Sequence, residues 1–219
     1  MKWDPSHAFL RLLITQVALI LVYPLMGEAW GTRFLLGLFL MLSLYGGIII
    51  TLAKPFKLWI SLILGVSFVG CYWAAVATEI PQFPILSGLF GAAFFWFIAI
   101  VMMQFIFFNR SKVDVDLIYG AISAYLLIGS GFGEIYLAFA LADPHAFSGI
   151  EITSSFDGVA RALNYYSFVT LTTLGYGDIT PGIHYTKVLA YTEAIIGQLY
   201  LTILVARLVG TYIAQSRNE

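Results

Sequence analysis

The chain has 219 residues, 60% of them hydrophobic and only 11% charged, with a formal net charge of −1 and a mean hydropathy of +0.90. Soluble domains carry about 25% charged residues, so this composition cannot coat a globule of this size with polar surface and excludes a water-soluble protein. The near-zero net charge gives no basic excess for nucleic acid.

A hydrocarbon core of about 30 Å takes about 20 apolar residues in helical rise. Six segments meet that length: 9–26, 33–53, 58–77, 86–108, 117–142 and 184–214. The first has the positive start of a signal peptide in Lys2 and Arg11 and a small-x-small site at Gly27 to Ala29. Asp4 and Pro5 in its leading region argue instead for a retained membrane helix. With the N-terminus inside and six crossings, eight of the eleven Lys and Arg residues fall on the inner side, leaving Arg33, Arg161 and Lys187 outside. This bias predicts that both termini are cytoplasmic in a multi-pass cell-membrane protein. Trp3, Trp30 and Trp59 stand near helix ends, where an interfacial aromatic belt puts them. Cys71, the single cysteine, reads as an apolar structural thiol.

The fourth segment, 86–108, contains no Arg, Lys, Asp, Glu or His; its polar residues are Ser87 and Gln104. It is followed after about eight residues by the fifth, which carries Gly129 and Gly133 in the small-xxx-small spacing of close helix packing. The fifth and sixth segments each hold one carboxylate, Glu134 and Glu193. An intramembrane carboxylate is a functional-site hypothesis by default; the plainer reading is a buried hydrogen bond, in a form that includes the neutral acid.

Between those two segments, 143–183 is apolar in its middle but too broken to span. Ser154 with Asp157 resembles a capping box opening a short helix over 158–171. Too short to cross, such a helix re-enters on the side it left, and non-helical backbone after it is tolerated at membrane depth only when buried in protein or lining a watery path. The helix gives way to Thr172-Thr173-Leu174-Gly175-Tyr176-Gly177-Asp178. A desolvated ion needs closely spaced rings of oxygens. Backbone carbonyls supply them only if the chain turns each C=O to one axis, a conformation that glycines relieve by visiting φ > 0. Gly175 and Gly177 alternate with Leu174 and Tyr176, whose side chains pack outward, and Thr173 adds a hydroxyl oxygen at the inner end. The short helix aims the negative end of its dipole at this path.

The segment closely resembles the selectivity filter of tetrameric P-loop potassium channels, and the likeness extends over 117–214. Leu174 stands where the family has Val or Ile, and Val169 where some members carry a pore-helix Glu; Tyr165 and Tyr166 match aromatics that brace the filter, and Pro181 closes the motif. The resemblance implies potassium ions held at Thr173, Leu174, Gly175, Tyr176 and Gly177, with Thr172, Asp178, Tyr165 and Tyr166 as filter support. Gly197 falls at the family's inner-helix hinge, with close helix packing as the other reading. Gln198, Leu201, Val205 and Val209 form one stripe facing a central cavity; Arg207 turns away from it and snorkels.

The expected fold is an all-α integral membrane protein. It has a four-helix peripheral domain, 1–108, and a two-helix pore domain, 113–219, with a re-entrant pore helix and a filter loop. One pore loop cannot enclose an ion, so the chain is expected to form a homotetramer in the lipid bilayer. The connection near 109–116 reaches about 12 Å as helix, which implies that each peripheral domain packs on its own pore domain. The uncharged fourth segment implies a channel without a conventional voltage sensor. The other classes in view are a pore-loop subunit of a potassium transporter, whose relatives carry four linked repeats, and a non-transporting membrane sensor, which would carry an extramembrane signalling domain. His7, His145 and His184 are scattered and no phosphate-binding loop occurs, so no enzyme activity, cofactor or chelated metal is expected.

Overall fold

Hydrocarbon offers no hydrogen-bond partner to a backbone amide, so an apolar run must satisfy its N–H and C=O groups within its own helix. The computed structural model describes residues 8–22, 55–78, 80–108, 115–150 and 156–216, and the helices follow the apolar runs. They are α1 (Ala8–Val22), α2 (Pro55–Ala77), α3 (Gln82–Phe108), α4 (Val115–Ala142), α5 (Phe156–Leu171) and α6 (His184–Ser216). Four of them, α2, α3, α4 and α6, are long and apolar enough to cross a membrane. The chain is a multi-pass membrane protein. The segment expected at 33–53, the candidate cap Ser154, Trp3, Trp30 and the domain junction at 109–112 lie outside the described residues.

Two helices begin a turn earlier than their hydropathy indicates, each with a proline in its first turn. Pro55 opens α2 and Pro84 sits two residues into α3. At these positions the missing N–H would have no helical partner anyway. Ser87 bonds back to the Pro84 carbonyl at 2.8 Å. The fold is mostly helical, as expected; outside the helices a two-stranded antiparallel ladder joins β1 (Phe147–Ser148) to β2 (Thr180–Pro181), pairing Phe147 with Pro181 and Ser148 with Thr180. The Ala146 carbonyl extends it, accepting from the Gly182 amide at 2.8 Å and the Thr186 hydroxyl at 2.9 Å.

The central element is α4, buried on nearly every side and touched by α1, α3, α5 and α6. Its small residues make that possible. Gly129 packs where an added Cβ would lie 2.7 Å from the Phe168 ring of α5, and Gly133 where one would lie 3.2 Å from the Asn164 backbone. On the opposite side α3 lies close along α4, with Trp96 edge-on to Phe132 at 5.1 Å. Behind α5, the rings of Tyr136, Phe147 and Tyr166 form a triangle with centroid separations of 5.2–5.4 Å. Such pairs contribute about 0.5–1.5 kcal/mol each beyond their burial. The triangle ties α4, β1 and α5 at one level. Of the peripheral features, Trp59 is exposed and Cys71 half-buried on α2.

Gly88 makes the α3–α4 approach testable, because a Cβ there would sit 2.7 Å from the Glu134 carbonyl oxygen, whereas one at Gly70 on α2 meets nothing within 4 Å. Gly88→Val should therefore lower stability by about 1–3 kcal/mol, the usual cost of overpacking. Gly70→Val should stay within about 0.5 kcal/mol. Thermal unfolding in detergent, followed by tryptophan fluorescence, compares the two.

Candidate functional site

The site is built outward from the end of α5. This helix buries Val159, Leu163, Tyr166, Ser167 and Leu171 along one face against α4, and Asp157 in its first turn complements the dipole. Its last turn closes by a double bond pattern: the Thr173 amide donates to the Thr170 carbonyl at 2.9 Å and the Leu174 amide to the Val169 carbonyl at 2.9 Å. These are the two bonds of a Schellman motif, which needs a left-handed residue just past the helix, usually glycine. Thr173 occupies that place with φ +61°. A β-branched residue in this region is strained by about 1–3 kcal/mol, and here the left-handed turn recurs. Gly175 has φ +59° and Gly177 φ +80°, so every second residue from 173 to 177 is left-handed.

Residues 172–178 are all exposed in the single chain, Leu174 and Tyr176 at 59% and 67%. They are nevertheless held from three directions. Thr172 folds its hydroxyl back to the Phe168 carbonyl at 2.6 Å. Gln198 of α6 donates its amide Nε2 to Thr173 Oγ1 at 3.0 Å. Tyr165 donates its hydroxyl to Asp178 Oδ2 at 2.8 Å. Beneath, the Leu171 carbonyl accepts from the Tyr125 hydroxyl at 3.2 Å and faces Gly197, where an added Cβ would lie within 2.2 Å of it. Helix α6 runs unbroken through Gly197, so the contact gives this glycine a packing role.

The residues singled out in the sequence thus divide. Thr172, Thr173, Asp178, Tyr165, Gly197 and Gln198 meet around the end of α5. Tyr166 turns the other way, into the ring triangle. Leu201, Val205 and Val209 are exposed further along α6, at 42%, 58% and 52%. Arg207 lies over the Phe107 ring at 5.3 Å, on the side facing α3. Val169 is buried and contributes its carbonyl rather than a carboxylate. Glu134 does not join the group; it borders a cavity of about 40 Å³ shared with Tyr72, Ser87, Ser130 and Asn164. Glu193 is fully buried behind α5. The Tyr125 bond, the β1–β2 ladder and the partners of Glu193 are contacts that sequence reasoning missed. The exposed oxygens of the site belong to carbonyls, hydroxyls and one carboxylate, and among the described residues no group of three or more His, Cys, Asp or Glu gathers to chelate a metal.

The Tyr165 hydrogen bond holds the Asp178 carboxyl below the ordinary carboxylate range, with the Ile179 amide acting in the same direction, and it raises the Tyr165 phenol. A carboxylate of depressed pKa contributes above its ordinary pKa and loses that contribution as pH falls through the depressed value. Tyr165→Phe should accordingly move the Asp178 titration upward, towards the ordinary range. Carboxyl-carbon NMR of aspartate-labelled protein measures the shift, and Asp178→Asn assigns the resonance.

Residues 131–214 match a family model described as an ion channel. The match runs from the middle of α4 through α5 and the loop to the last turns of α6, and takes in under half of the chain. No curated protein and no solved structure matches the chain. Over the stretch that carries the site, then, the chain is similar to ion channels.

Proposed function

We propose that the protein is a subunit of a potassium-selective channel, four copies of which close a ring of 172–178 segments around a common axis in the cell membrane, with both termini cytoplasmic. The observation that carries the reading is the left-handed turn at every second residue, 173, 175 and 177, within Thr-Thr-Leu-Gly-Tyr-Gly-Asp. Alternating the sign of φ turns successive carbonyls to one side of the chain, where an ordinary strand would point them alternately to either side. Four such segments present stacked rings of oxygens that replace the water of a potassium ion. Thr173, Leu174, Gly175 and Tyr176 supply the carbonyls of the ion sites, with Gly177 above them. The Thr173 hydroxyl supplies the innermost ring. Asp178 marks the outer mouth, and Gln198, Leu201 and Val205 line the inner cavity.

The same geometry supports the tetramer. A single segment leaves its filter residues uncovered, and among its described residues α6 buries only Thr186 near its start and the stripe of Glu193, Gly197, Tyr200 and Leu204 within its own chain. Three neighbours supply the missing cover and the missing oxygens. Each peripheral domain packs on its own pore domain, in keeping with the close lay of α3 along α4. Ion flow is passive and nearly voltage-insensitive, because α3 carries no charged residue to move through the field. Two of its polar side chains are engaged locally: Gln104 accepts from Lys57 of α2 at 2.6 Å, and Ser87 is bonded to its own turn.

Potassium flux into liposomes, with sodium as control, tests the function; equal permeation of the two ions would overturn it. Gly175→Ala isolates the carrying observation, since a Cβ there meets nothing within 4 Å and only its φ of +59° resists the change. The left-handed region costs an L-residue about 1–2 kcal/mol, repeated in each of the four chains. This variant should still assemble, giving four chains by native mass measurement, but lose potassium selectivity. In single-channel recordings the wild-type open probability should vary only weakly with voltage; a steep activation curve independent of permeant-ion concentration would contradict the uncharged-sensor reading.

A further inference from the structure

Three oxygen–oxygen contacts meet behind α5. Tyr136 Oη of α4 lies 2.7 Å from Glu193 Oε2, Ser167 Oγ of α5 lies 2.5 Å from Glu193 Oε1, and the same Ser167 Oγ lies 2.7 Å from the Gly129 carbonyl of α4. Each contact at such a distance needs a hydrogen between its oxygens. Tyr136 and Ser167 bring one hydrogen each, and a carbonyl brings none. Two hydrogens cannot serve three contacts. If Glu193 were a carboxylate, it would take both, and Ser167 would face the Gly129 carbonyl with lone pair against lone pair. If Glu193 holds a proton on Oε1, the count closes: Tyr136 donates to Oε2, the acid donates to Ser167, and Ser167 donates to Gly129.

The surroundings agree with a neutral acid. Glu193 is 0% exposed. The titratable groups facing it are Tyr125 and Tyr136 from α4 and Tyr166 from α5, all phenols; its hydrogen-bond partners among the described residues are hydroxyls, and none is a cation. A buried carboxylate without a cationic partner is strongly disfavoured.

We propose that Glu193 is a protonated carboxylic acid that positions the pore helix, clamping α6 to α5 and α5 to α4 through a single directed chain of hydrogen bonds. The clamp lies one helical turn from the place where Gly197 meets the Leu171 carbonyl, and the next residue, Gln198, reaches Thr173. Thus α6 grips α5 at 167, at 171 and just past its end, and the first grip depends on a proton. Without that proton the Ser167 hydrogen goes to Glu193 and the tie from α5 to the Gly129 carbonyl is lost. The consequence for permeation rests on the channel reading; the protonation does not.

Infrared difference spectra of wild type minus Glu193→Gln, in liposomes at neutral pH, decide the protonation whether or not the protein conducts. A carboxylic-acid C=O band present in wild type and lost in the variant is expected; a carboxylate band pair lost in its place would overturn the proposal. Should Glu193→Gln fail to assemble, Ser167→Ala gives the second measurement, because removing the acceptor should shift the acid band, and an unshifted band is contrary to the chain. Positioning is read from permeation. Glu193→Gln keeps one donor and one acceptor and should retain the wild-type potassium-to-sodium permeability ratio. Glu193→Leu fills the space without hydrogen bonding and should lower that ratio or the unitary conductance by about tenfold or more, as loss of a buried partner does. A Glu193→Leu channel indistinguishable from wild type would refute the positioning role.

Discussion

Backbone that leaves the helical conformation at membrane depth finds no water to bond to, and it persists only where protein holds it. Residues 172–178 impose that requirement on everything near them. The Schellman closure of α5 consumes the first free amides, the Thr172 hydroxyl returns to its own helix, and Gln198 and Tyr165 fasten the inner and outer ends. Behind them Tyr125 and Gly197 fix the Leu171 carbonyl from two sides. Each of these groups sits on a helix that α4 orients, which accounts for a central helix so rich in small residues. Had α4 carried larger side chains at Gly129 and Gly133, α5 would stand off and the end of the helix would no longer be reached.

The motif was legible in the sequence because it is contiguous: two of its seven adjacent residues are glycines at positions that are left-handed in the structure. The left-handed Thr173 was not legible, since the residue expected past a Schellman helix end is glycine and nothing local marks a threonine for that role. The long helices were legible from hydropathy, and α2 and α3 start before their apolar runs, with Pro55 and Pro84 sitting harmlessly in a first turn. The β1–β2 ladder escaped because its strands are two residues each and lie on either side of α5. Gly197 admitted two readings from sequence, and the carbonyl that gives it a packing contact comes from another helix. Glu193 likewise stood out as costly, but its partners are set by how three helices cross.

Strain and support are matched at Thr173. A glycine would adopt φ +61° without penalty, yet it would bring no Oγ1 for Gln198 to hold. The fold therefore retains a strained residue and surrounds it with contacts that over-determine its conformation, the condition under which such outliers survive. The peripheral helices show the opposite economy. The contacts of α3 with α2 and α4 are close and mostly apolar, and Ser87 and Gln104 are hydrogen-bonded within the chain.

The narrow buried stripe of α6 bears on how the protein comes to exist in the membrane. If four copies assemble as proposed, the one-sided packing of α6 among its described residues and the uncovered loop side chains leave the lone chain an unfinished structure. In the proposed tetramer the last increment of folding free energy would come from encounter with its own kind, and by mass action the native state would belong to the surface density of copies as much as to the sequence. Dilution in the bilayer then acts as a destabilising substitution does. On that reading, a cell that makes too few copies would hold chains with a formed α5 and no pore.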